Sequence, residues 1–161
     1  MMKHRGLFFC LVGSLCGMLG CGLKKMPEGE LVKLEFTRSG TMSGYEYEGR
    51  VMQDSTGSFV LRAMKESRGP LFEKNLDAGA MKKFRQIIEE EKMYKYKERY
   101  LPMIKVLDGW SWTFEASFDD GSKIHSHGSN ARPKDEGLDR IRELMEELIQ
   151  EGASPLSEDE E

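Results

Sequence analysis

Trp110, Trp112, Phe114, Ala116 and Phe118 alternate with Ser111, Thr113, Glu115 and Ser117. Successive strand side chains point to opposite faces, so this period of two predicts a strand with one aromatic and one polar face. A helix would scatter the same rings around its circumference. The chain therefore needs a sheet, and a core able to take two indoles and two phenyl rings. Asp119-Asp120-Gly121 follows and reads as a three-residue hairpin turn with Gly121 left-handed. That turn pairs Phe118 with Ser122, Ala116 with Ile124 and Phe114 with Ser126, and so places Glu115 opposite His125. A two-residue loop would set Phe118 against Lys123 and turn Ile124 to the polar side, because a one-residue slip exchanges the faces.

Residues 31–38 alternate in the same way, with Val32, Leu34 and Phe36 against Lys33, Glu35 and Thr37. Tyr45, Tyr47 and Val51 then oppose Glu46, Glu48 and Arg50. After a turn at Asp54-Ser55-Thr56-Gly57, Phe59, Leu61 and Ala63 face away from Val60, Arg62 and Met64. These three strands form a meander. Asp77 is a suitable N-cap for a helix over residues 78–92, where Met81, Phe84, Ile87 and Ile88, extended by Tyr94, recur at helical spacing. Pro133 suits the first turn of a second helix, whose stripe is Leu138, Ile141, Leu144, Met145, Leu148 and Ile149, ending near Gly152. Between the first helix and the aromatic strand, Tyr100, Leu101, Ile104, Val106 and Leu107 are too apolar for a free loop, and packing over the sheet edge is expected. The fold class expected is α+β: a single antiparallel sheet in the order βββαββα, with two helices packed on one face. A chain of 161 residues suits one such domain.

Residues 1–20 have a different character. Lys3, His4 and Arg5 precede an apolar run over residues 6–19, which is the plan of a secretory signal and falls short of the roughly 20 residues a spanning helix needs. Met18-Leu19-Gly20-Cys21 resembles the lipobox of bacterial lipoproteins. In that family the cysteine thiol takes a diacylglycerol and cleavage makes it the new N-terminus. The resemblance implies lipid attachment at Cys21, export, and anchoring to a bacterial membrane. Gly22 stands where an Asp often retains such proteins at an inner membrane, so the outer membrane or cell surface is favoured. The expected organisation is a signal over 1–20, lipidated cysteine and tether over 21–30, one domain over 31–151, and an acidic disordered tail over 152–161.

The three cysteines are Cys10, Cys16 and Cys21, so a chain processed at Cys21 keeps one thiol, already occupied by lipid. Disulfides, thiolate zinc sites and cysteine nucleophiles are then excluded. Cleavage also removes Lys3 and Arg5 and leaves 22 basic against 28 acidic side chains, a net of −6. No basic excess remains for nucleic acid, and electrostatic help from anionic lipid is not expected either.

No phosphate-cradling glycine loop and no nucleophile elbow occur in the sequence. The one constellation with metal-ligand chemistry is His125-Ser126-His127 with Glu115. Alternate strand residues share a face about 7 Å apart, and two imidazoles with a carboxylate are the minimum for a divalent ion with an open position. That set would serve a metal-dependent hydrolase. The polar face as a whole is the other candidate: Lys33, Glu35, Glu48, Arg50, Arg62, Thr113, Glu115, His125 and His127 are expected on one side of the sheet. Glu115, His125, His127, Arg50 and Arg62 are taken as its binding residues. Tyr94, Tyr96 and Tyr100 among lysines could stack on sugars or cover the core.

Residues 108–133 resemble a segment of small exported bacterial lipoproteins of unassigned function, through Trp112, Asp120, Gly121, Ser126, Gly128, Asn130, Ala131 and Pro133. The resemblance implies an uncharacterised exported domain and supplies no catalytic residue. The reading is a lipid-anchored envelope protein that binds or scaffolds, with no catalytic residue, metal or cofactor assigned. The alternatives are the hydrolase and an inhibitor or chaperone-like lipoprotein acting on another envelope protein.

Overall fold

The computed structural model describes residues 24–40, 44–66, 69–104 and 109–156. Cys21, the expected signal segment and residues 157–161 lie outside this set. The elements in chain order are β1 (Leu31–Gly40), β2 (Gly44–Gln53), β3 (Phe59–Met64), β4 (Phe72–Leu76), α1 (Ala78–Glu90), β5 (Arg99–Tyr100), β6 (Trp110–Phe118), β7 (Lys123–Ser129), α2 (Gly137–Gln150) and β8 (Ser154–Pro155). A 3-10 turn at Met93–Lys95 follows α1.

All strands join one sheet in the order β5-β7-β6-β1-β2-β3-β4-β8. The α+β class holds, but the purely antiparallel sheet and the order βββαββα do not. β5 runs parallel to β7, which makes the sheet mixed, and β4, β5 and β8 were not foreseen. β5 and β8 are two-residue edge segments defined by their neighbours' backbones, and no alternation can reveal strands that short.

The hairpin of β6 and β7 has the expected register. Ala116 faces Ile124, Glu115 faces His125, Phe114 faces Ser126, and Gly121 turns the chain at φ +82°. Leu34, Val51 and Leu61 stand side by side on β1, β2 and β3 and are fully buried, as are Phe114 and Ala116 on β6. At the start of β1 the alternation breaks: the register shifts between Leu31 and Lys33, so Leu31 is buried and Val32 only half-buried.

Both helices cover this apolar face. Asp77 caps α1 by accepting the Ala80 amide at 2.7 Å, and Ala80, Met81, Phe84, Ile87 and Ile88 are buried. The buried stripe of α2 is Leu138, Ile141, Leu144, Met145, Leu148 and Ile149. Arg140 ties the helices together through Glu90 at 2.8 Å and Glu91 at 2.6 Å. α1 stops at Glu90, short of residue 92, where Lys92 turns left-handed at φ +53°. α2 starts at Gly137 instead of Pro133, because Asp135 holds the Gly137 amide and the Tyr96 hydroxyl just ahead of the first turn.

Both ends of the domain are tied down. Residues 24–30, expected as a tether, form a strap: the Gly29 and Glu30 amides donate to Asp120 at 2.9 Å and Asp119 at 2.8 Å. Arg85 of α1 donates to the carbonyls of Gly29 and Pro27, and the Lys24 ammonium donates to the Tyr96 carbonyl at 2.6 Å. A Cβ on Gly29 would meet the Asp119 carboxylate at 2.5 Å, so this approach needs glycine. In the expected tail, β8 pairs with β4 and the Leu156 amide donates to Leu71 at 2.9 Å. The loop after β5 departs from expectation. Leu101, Met103 and Ile104 are exposed and Tyr100 packs inward, while Val106 and Leu107 lie outside the described residues.

Candidate functional site: the open face of the sheet

The face opposite the helices gathers the residues singled out from the sequence. One cross-strand row runs Glu73, Arg62, Arg50, Glu35, Glu115, His125, taking one residue from each of β4, β3, β2, β1, β6 and β7. A second row runs Met64, Glu48, Thr37, Thr113, His127, Arg99. Directly opposed strand residues have Cβ atoms about 5 Å apart, close enough for long side chains to interact.

The charges on this face pair with one another. Arg62 bonds Glu73 at 2.6 Å, and Arg50 bonds Glu35 at 2.6 Å while reaching Glu48 at 3.7 Å. Lys33 lies 3.3 Å from Glu35 and 3.4 Å from Glu115. Arg50 and Arg62 are directly opposed like charges, and each turns outward to its own carboxylate. Pairs this exposed add about 0–1 kcal/mol each, so the ladder does more to fix side-chain positions than to hold the fold.

The metal-ligand constellation is only partly assembled. His125 Nδ1 lies 3.9 Å from Glu115, and the two imidazole rings are tilted with centroids 5.7 Å apart. Among the described residues, no group of three His, Cys, Asp or Glu side chains is placed to hold a metal ion. Glu115 is turned toward Lys33 as well, and an ammonium beside a ligand carboxylate opposes cation binding. Arg50 and Arg62 lie three and four strands from His125, about 14 and 19 Å at the usual strand spacing. The five residues therefore share a platform and do not converge on a point.

The tyrosines belong to the core side. Tyr96 is buried, and its hydroxyl donates to Asp135 in a short hydrogen bond. Burial, then that bond to Asp135, pushes its phenol well above the ordinary range. Tyr100 packs edge-on against Tyr96 and lies 5.7 Å from the Trp112 ring. Tyr96 has no face to offer a sugar, and half-buried Tyr100 spends its ring on Tyr96 and Trp112. Tyr94 is half-buried beneath the Lys95 ammonium, 5.6 Å from its ring.

The segment 108–133 is accounted for by packing. The Trp112 indole donates to the Ala131 carbonyl at 2.8 Å, and a Cβ on Gly128 would meet that carbonyl at 2.4 Å and the indole nitrogen at 2.5 Å. Asn130, left-handed at φ +50°, clamps both backbone groups of Trp110. Ser126, fully buried, donates to the Lys97 carbonyl at 2.6 Å and so fixes the approach to β5.

Cavities on the sheet side of the molecule were not foreseen. One, of about 290 Å³, opens at the Trp110 end of the sheet between Phe36, Arg38, Trp110, Trp112, Arg132 and Asp139. The even positions of β1 point inward, so Arg38 on that face was its available signal. Its arginines are already engaged: Arg132 with Asp139 at 2.7 Å, and Arg38 over Trp110 at 5.7 Å. Another, of about 530 Å³, lies between the strap and β7. No family model matches the chain, and no curated protein or solved structure does either.

Proposed function

We propose that the protein is an exported bacterial lipoprotein, cleaved before Cys21 and held to the membrane by acyl chains on that residue. Its domain binds and does not catalyse, offering the open sheet face to a second envelope protein. The anchor is supported by the segment Met18-Leu19-Gly20-Cys21 after its short apolar run. The observation that carries the binding reading is the face itself, left uncovered by both helices, with ion pairs tying side chains of β6, β1 and β2 together and Arg62 of β3 to Glu73 of β4. A surface whose side chains are already positioned loses less entropy on docking than a mobile one.

The test is capture from native membranes. Wild type and Lys82→Glu, a change on the exposed side of α1, should retain the same partner, whereas Arg50→Glu with Arg62→Glu should lose it. Equal capture by all three would remove any role for the face in binding. Zinc binding by calorimetry, together with a hydrolytic activity abolished in His125→Ala, His127→Ala, would replace that role with the hydrolase.

A further inference from the structure

The cleft between the strap and β7 is lined by Lys24, Lys25, Tyr94, Glu98, Lys123 and His125 among others, and holds about 530 Å³. Three ammonium groups stand there against one carboxylate, in a chain whose net charge is −4. Lys24 donates to the Tyr96 carbonyl, which leaves its charge in place. Among the described residues no acidic side chain is in ion-pair contact with Lys25 or Lys123. Lys95 extends the cationic rim over Tyr94. Acids lie at the other end of the strap, where Glu28 and Glu30 stand on it and Asp119 and Asp120 hold it, and beyond His125 Glu115 lies 3.4 Å from Lys33.

The strap fixes this cleft in place. Asp119, Asp120 and Arg85 hold residues 27–30, and Lys24 is pinned at the other end. Two residues separate Lys24 from Cys21, so their Cα atoms are at most about 11 Å apart even with the chain fully extended. Net charge is a poor guide to such a place, because a charge acts on a surface only within a Debye length, about 8 Å at physiological salt. The lysines at the anchor end of the strap are therefore the charges closest to lipid phosphates, even though acids hold its other end and the whole domain is acidic.

We propose that this cleft faces the membrane and receives the phosphate headgroups of anionic phospholipids, with Lys25 and Lys123 as the principal contacts. The proposal rests on acylation of Cys21 and adds a second, electrostatic hold that sets how the domain sits on the bilayer. Lipid chains provide the anchorage and the lysines provide the orientation. The open sheet face shares an edge with the cleft through His125 and Lys123, so this orientation also decides how the face is presented.

The test is lysine footprinting of the native full chain reconstituted in vesicles of phosphatidylcholine alone, or of phosphatidylcholine and phosphatidylglycerol in equal parts. Amine acylation at Lys25 and Lys123 is expected to be about fivefold slower in the anionic vesicles at low salt, and to recover at high salt. Lys82 and Lys83 on α1 should label equally in both. In Lys25→Gln, Lys123→Gln, whatever lipid-dependent protection Lys24 shows should vanish. Equal labelling of Lys25 and Lys123 in the two vesicle types would overturn the proposal, as would equal protection by glycerol phosphate without vesicles, which would indicate a small-ligand site. Failure of the anchor reads out separately, as native chain that does not float with vesicles of either kind. Anionic vesicles added to that soluble chain then test the cleft by the same labelling, with protection of Lys25 and Lys123 supporting it and equal labelling overturning it.

Discussion

The open sheet face and the cleft beside the strap both carry lysine or arginine, yet their charges are arranged in opposite ways. On the face, Arg50, Arg62 and Lys33 each have a carboxylate within 3.3 Å. In the cleft, Lys25 and Lys123 have no such neighbour among the described residues. A paired charge is largely invisible at a distance and useful for shape, whereas an unpaired cluster projects a field. The two regions therefore suit different partners: a surface matched to the positions of the face, and a polyanion drawn to the cleft.

Both regions depend on the sheet beneath them, and removing that support should have the largest effect. Phe114, fully buried between Phe36 and Ser126, lies beneath the face. Phe114→Ala should cost about 3–5 kcal/mol in urea unfolding. A loss below about 1 kcal/mol would mean that the face is not held by its core.

The next effect separates cleft from face. Asp120→Ala removes the acceptor for the Gly29 amide and should speed hydrogen exchange at Gly29 about tenfold, leaving β1 to β3 unchanged. Acid should do the same. The Asp120 carboxyl is held below its usual range by the Ser122 hydroxyl, then by the amides of Ser122 and Gly29. A carboxyl lowered in the folded state contributes above its unfolded value, about 3.9, and the contribution is lost as pH falls through the lowered value. Protection of Gly29 that survives to pH 2 would show that the strap is held by something other than the Asp120 carboxylate.

The smallest effect addresses the charges themselves. Arg50→Ala breaks two ion pairs on the face and should cost at most about 1 kcal/mol at low salt, a difference that high salt removes. Lys123→Ala breaks none and should change stability by no more than about 0.5 kcal/mol. Equal and salt-independent losses in urea unfolding would erase the distinction between the regions.

How much of this could be read from the sequence depended on distance along the chain. The hairpin of β6 and β7 was legible to the residue, since nine alternating positions and Asp119-Asp120-Gly121 left one register that kept Ile124 inside. The helical stripes were legible for the same reason of period. Leu31 was missed because a bulge moves it inward, and β5 and β8 because their pairing partners define them. The cross-strand row of charges could be named except for Glu73, which lies on the unforeseen β4, and the pairing of Arg50 with Glu35 in preference to Glu115 needed the strand order. The strap and the cleft were not legible at all. Gly29 and Asp120 are 91 residues apart, and Lys25 and Lys123 are joined only by the fold. Net charge pointed away from lipid because it averages over the molecule and cannot show that Lys24, Lys25 and Lys123 line one cleft.

The central claim is that acyl chains at Cys21 bring the cleft to a membrane, and the most direct measurement is the intact mass of the chain isolated from its native membranes. Acylation predicts a species beginning at Cys21 and heavier than the bare polypeptide by a diacylglyceryl group. A water-soluble chain still carrying residues 1–20 would contradict it.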